Sequence, residues 1–102
     1  MPMSWKEERG DLVFTVSGEI DHHGAKGLMG ELDRTLESHV LRQVVMDLSG
    51  VSFMDSSGIA LLLRLHRRAA EVGGNVRVQG VPEQAMKVLR SAGLHKLMKL
   101  EG

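Results

Sequence analysis

Asp55-Ser56-Ser57-Gly58 sets two hydroxyl groups between a carboxylate and a glycine, directly before the apolar run Ile59-Ala60-Leu61-Leu62-Leu63. If a helix begins there, its first backbone N–H groups lack intrahelical partners and the positive end of its dipole faces the serines. A phosphoryl group on a serine is then electrostatically tolerated by its own domain. It would add a charge of about −1.5 to −2 beside Asp55 and repel a partner fitted to the bare hydroxyl. The plainer role for Asp55, Ser56 and Ser57 is helix capping alone, and spacing by itself favours it. A serine-hydrolase site would take Ser56 or Ser57 as nucleophile and one of His22, His23, His39, His66 or His95 as base. That chemistry needs a strained Gly-x-Ser-x-Gly elbow, and Phe53-Met54-Asp55-Ser56-Ser57-Gly58 lacks the first glycine. A metal site at His22 and His23 is no better supported. Neighbours on an extended segment point in opposite directions, and no His-x-x-x-His or carboxylate spacing completes a shell.

The elements that must position these residues follow from periodicity and punctuation. Trp5–Glu8 and Leu12–Ser17 flank Arg9-Gly10-Asp11, and the second run alternates Leu12, Phe14, Val16 against Val13, Thr15, Ser17, which predicts a β-hairpin. From Ala25, the apolar positions Leu28, Met29, Leu32 and Leu36 mark one side of a helix ending near Ser38. Val44-Val45-Met46-Asp47-Leu48 reads as a central strand buried on both faces, and the stretch from Asp47 to Gly58 as the link from it to the next helix. That helix starts at the Asp55-Ser56-Ser57-Gly58 cap and stops at Gly73-Gly74. Its expected core stripe is Ile59, Leu62, Leu63, His66 and Ala70, with His66 a tucked polar residue. Leu61 falls outside that stripe. It either packs under a neighbouring helix or lies exposed near Ser57 in a partner-binding patch. Asn75–Gln79 is a further strand, Pro82 opens a third helix closed by Ser91-Ala92-Gly93, and Leu97–Leu100 is read as an edge strand. Strands alternating with helices after a hairpin predict an α/β fold, a mixed β-sheet covered by helices. Ligands and partners of such sheets bind at the strand ends that feed helix N-termini, which again selects the segment before Ile59.

Composition narrows the function classes. A chain of 102 residues and 11.2 kDa, 42% hydrophobic and 25% charged, fits a single folded domain over residues 1–102. Thirteen basic residues balance thirteen acidic ones, so no cationic field draws in nucleic acid or anionic lipid. The absence of cysteine excludes disulfides and thiolate sites and suits a reducing compartment. Residues 1–10 have no apolar core to act as a signal peptide, and the run Ile59–Leu63 is too short to cross a bilayer. The expectation is a cytoplasmic protein with neither membrane nor nucleic acid as partner.

Gly18-Glu19-Ile20-Asp21-His22-His23 together with Phe53-Met54-Asp55-Ser56-Ser57-Gly58 resembles the STAS-domain anti-sigma-factor antagonists, in particular those of sporulation sigma-factor pathways. The resemblance spans nearly the whole chain and implies a STAS-type mixed sheet. It implies a non-enzymatic partner switch: the unphosphorylated antagonist binds an anti-sigma factor that is also a serine kinase and frees the sigma factor. The kinase then phosphorylates its captor. The first serine of the motif, the acceptor in that family, matches Ser56, with Asp55 and Ser57 framing it and Gly58 letting the partner approach the backbone. The loop Asp21-His22-His23 is expected on the same surface. No cofactor is implied beyond the ATP used by the kinase, and a metal-dependent serine phosphatase would reset the switch. STAS components of stress-response complexes are the alternative in the same fold.

Overall fold

The computed structural model describes residues 3–38 and 43–102. Strands β1 (Met3–Glu8) and β2 (Asp11–Ile20) form the expected hairpin, with Arg9 at φ 54° and Gly10 at φ 87°. Two successive left-handed residues make a turn whose twist matches that of paired strands. Then follow α1 (His22–Glu37), β3 (Gln43–Met54), α2 (Ser56–Glu71), β4 (Asn75–Gln79), α3 (Glu83–Ser91), a 3₁₀ turn (Leu94–Lys96) and β5 (Lys99–Leu100). The sheet order is β1-β2-β3-β4-β5; β1 runs antiparallel to β2, and each later strand is parallel to the one before it. The fold is therefore the mixed sheet with helices that the sequence predicts, and β5 supplies its edge.

One face of the sheet carries the core. Leu12, Phe14 and Val16 of β2, Val44, Met46 and Leu48 of β3, and Val76 and Val78 of β4 meet Leu28, Leu32 and Leu36 of α1, Leu62, Leu65 and Ala69 of α2, and Ala85 and Leu89 of α3. The helices lie side by side, α1 against α2 and α2 against α3. Val45 points to the other face, between Val13 and Arg77 on the flanking strands, and is buried there although it does not belong to the helix-side core. The run Val44-Val45-Met46 is thus buried on both faces, as expected of a central strand.

Four expectations are corrected. Helix α1 starts at His22, so Asp21-His22-His23 is a cap and a first turn rather than a loop. Strand β3 does not stop at Leu48; it stays paired with β2 through Met54, with register irregularities between Thr15 and Ser17 and between Gly18 and Glu19. The buried arc of α2 is Gly58, Leu61, Leu62, Leu65 and Ala69, while Ala70 is exposed and Ile59, Leu63 and His66 are half-buried. That arc lies about one residue, some 100°, from the stripe counted on the sequence. With the sheet beneath and a helix on either flank, α2 is apolar over so wide an arc that its centre cannot be found by counting. Pro82 sits one place earlier than expected, at the N-cap of α3.

Candidate functional site

β2 and β3 end on a shared rung, Ile20 beside Met54, and the N–H of Asp55 donates to the Ile20 carbonyl at 3.2 Å. The next residue of each strand is an aspartate that caps a helix. Asp21 Oδ1 accepts the N–H of Gly24 at 2.8 Å, and Asp55 Oδ1 accepts that of Ser57 at 2.8 Å. Both caps have extended backbone, the geometry that lets a short carboxylate turn back onto the first turn. Parallel pairing thus sets the starts of α1 and α2 next to each other, with their positive dipole ends at the same edge of the sheet.

Ser56, the first residue of α2, is exposed; Ser57 is half-buried. Ser57 lines a groove of about 240 Å³ between α1 and α2 with His22, Ala25, Lys26, Met29 and Ala60. Across α1, a shallower concavity of about 600 Å³ is lined by Gly18, Glu19, Asp21, His23, Gly24, Lys26 and Gly27. His22, His23 and Lys26 are exposed between the two hollows. Asp21, His22, His23, Asp55, Ser56 and Ser57 are therefore brought together.

Two expected partner-binding residues face inward. Leu61 is 1% exposed and packs in the α1–α2 seam with Met29, Leu32, Leu36 and Leu65, which leaves it nothing to offer a partner. Of the two places open to it, the seam is the one it occupies. Gly58 is buried too, and a Cβ there would collide with Met54 Cγ and lie 2.6 Å from the Met54 sulfur. The room left by that glycine is filled from within by Met54, not kept for an approaching backbone.

Sequence reasoning passed over Lys26, Gln84 and the exposure of Phe53. Phe53 precedes the site and is 43% exposed, a large apolar surface beside the polar start of α2. Gln84 of α3 accepts the Met54 N–H at 2.9 Å and donates to the Met54 carbonyl at 2.7 Å. No signal in the sequence marks Gln84, because its task exists only once β3 is known to extend to Met54. Further back on β3, Asp47 Oδ1 accepts from the Ser49 hydroxyl at 2.7 Å and the Ser49 N–H at 2.9 Å. Those bonds, the hydroxyl first, with a smaller contribution from Gln79, hold the Asp47 carboxyl below its ordinary value despite partial burial. They pin the chain where β3 becomes irregular. Of the histidines weighed as a base, His39 lies outside the described residues. Among the described residues, no three His, Asp or Glu side chains gather where a metal ion would be held, and no helix is long and apolar enough to cross a membrane.

The profile of the STAS domain family matches residues 3–102. An anti-sigma F factor antagonist of Paenibacillus polymyxa is 28% identical over 100 residues, 98% of this chain and 86% of the relative. The intermembrane phospholipid transport system binding protein MlaB of Escherichia coli K12 is 37% identical over 95 residues, 93% of this chain and 89% of the relative. The structure of the anti-sigma factor antagonist SpoIIAA in its unphosphorylated form superposes with a TM-score of 0.84 at 24% identity, over 97% of this chain and 87% of that one.

Proposed function

We propose, from the premise that this chain belongs to the STAS domain family, that it is an anti-sigma factor antagonist switched by phosphorylation of Ser56. The unphosphorylated form binds an anti-sigma factor serine kinase through the starts of α1 and α2 and releases the sigma factor. The observation that carries the reading is the exposed Ser56 at the mouth of α2, one residue after the Asp55 cap and beside the start of α1. The relative from Paenibacillus polymyxa supports it by name.

The chain supplies the acceptor and the kinase supplies ATP. The Ser56 Oγ forms a bond to the γ-phosphorus as the bond to the ADP oxygen breaks, and the hydroxyl proton passes to a base of the kinase. The product carries about −1.5 to −2 charge at a helix N-terminus, where the dipole tolerates it and the fold is kept. At an interface fitted to a neutral hydroxyl, an unpaired buried charge costs about 2–5 kcal/mol, or roughly 30-fold to several thousand-fold in affinity. A metal-dependent serine phosphatase resets the switch. The setting is cytoplasmic, and the paired Asp-His-His and Met-Asp-Ser-Ser-Gly segments favour a sporulation sigma factor over a stress-response one.

Incubation with an anti-sigma factor kinase of the same organism and ATP, followed by mass spectrometry, is expected to place one phosphate on Ser56. Ser56→Ala is expected to hold the kinase permanently, and Ser56→Asp to weaken it only in part, since it adds about one charge and no tetrahedral oxygens. Equal affinities of the two variants for the kinase would refute the switch. The 37% identity to a phospholipid transport system binding protein favours a second reading, a subunit of such a system. A chain that stays unmodified yet co-purifies with transporter components would support that one instead.

A further inference from the structure

The last rung between β3 and β4 is Asp47 beside Gln79, whereas β3 continues to Met54. Leu48 to Met54 is an overhang, flanked by β2 on one side and, among the described residues, by no strand on the other. Backbone groups on a bare strand edge need partners, or water takes their place and the edge frays. At the end of the overhang that partner is a side chain. The Gln84 carboxamide accepts the Met54 N–H at 2.9 Å and donates to the Met54 carbonyl at 2.7 Å, as a neighbouring strand would. On the opposite side, the N–H of the next residue, Asp55, is taken by Ile20.

We propose that Gln84 is a positioning residue for Ser56, fixing from α3 the direction in which the hydroxyl is presented to a kinase; the proposal rests on the reading of Ser56 as phosphoacceptor. Met54 is clamped, its side chain lies against Gly58 in the first turn of α2, and Asp55 and Ser56 follow directly, so freedom at Met54 becomes misplacement of the acceptor oxygen. A primary amide is required, because one donor and one acceptor must face a single residue. Glutamate offers two acceptors and alanine neither. Gln84 is itself exposed, so shortening it empties no part of the core.

The test is steady-state phosphorylation by an anti-sigma factor kinase of the same organism with ATP, for wild type, Gln84→Ala, Gln84→Glu and Val88→Ala, at a temperature where all four are folded. Val88 is half-buried on the same helix and packed against the core, and it takes no part in the two Gln84–Met54 hydrogen bonds, so its truncation loosens α3 with that pair of bonds left in place. Both Gln84 variants are expected to lose roughly tenfold or more in kcat/KM, mostly in kcat, because docking is retained while the acceptor is displaced. Val88→Ala is expected to melt earlier and keep the wild-type rate. Wild-type rates in either Gln84 variant, with Ser56 modified, overturn the role of Gln84 and leave that of Ser56 standing. An equal loss in Val88→Ala overturns it as well, since loosening of α3 then suffices. A wild-type chain with no phosphate on Ser56 overturns the reading beneath, and this inference with it.

Discussion

Gly58 shows how closely the site is joined to the core. A methyl group at this position would overlap the Met54 side chain, so Gly58→Ala must move either a buried methionine or the first turn of α2. The expected cost is about 1–3 kcal/mol, the range for overpacking a filled interior. In urea unfolding, the double variant Gly58→Ala with Met54→Ala should lose less than the sum of the two single variants, since shortening Met54 removes the collision. A strictly additive pair would show that the glycine serves something other than Met54. The polar residues of the site were legible because capping chemistry is local: Asp55 reads as an N-cap from its own neighbours, and it is one. Gly58 was misread and Leu61 left open between two places, because their surroundings come from α1 and from the end of β3, distant in sequence.

Between the elements, α1 and α2 are joined by leucines below and charges above. Asp33 receives Arg64 at 2.8 Å and Arg68 at 3.2 Å across the top of the seam that holds Leu61. Burial outweighs the charges. Leu61→Ala is expected to cost about 2–5 kcal/mol, whereas Asp33→Ala should lower the melting temperature far less and by an amount that shrinks in high salt. A salt-independent loss as large as that of Leu61→Ala would show the ion pairs to be the main tie. Element limits were legible where the chain is punctuated, as for β4 between Gly73-Gly74 and Gly80. They were not where tertiary pairing overrides local preference. Gly24, Gly27 and Gly30 weaken the helical pattern of α1, so its start at His22 is hidden behind the periodicity that begins at Ala25. Ser49, Gly50 and Ser52 look like a loop and lie within β3, whose pairing with β2 resumes at Gly50 and runs on to Met54.

Across the whole molecule, stability should fall from the middle of the sheet outward. β2 and β3 share the longest ladder, whereas β5 has two residues and β1 is the outermost strand on the other side. Amide hydrogen exchange is expected to be slowest in the core-facing stretch of β2 and β3 and fastest in β5 and β1. Comparable protection in β5 would mean that the edge is covered. The partly parallel sheet was implied by alternation, since a strand, a helix and a second strand of one sheet connect in parallel. That Val45 is buried apart from the helix-side core was not, because a continuous apolar run looks the same whatever buries it. Ile20 and Met54 share the last rung of the central ladder. A slip of either strand by a single step would carry one cap away from the other, so the two aspartates act as a vernier for the register of the central ladder. On the function proposed above, a partner that contacts the starts of α1 and α2 together meets both in place only where the central ladder is fully zipped.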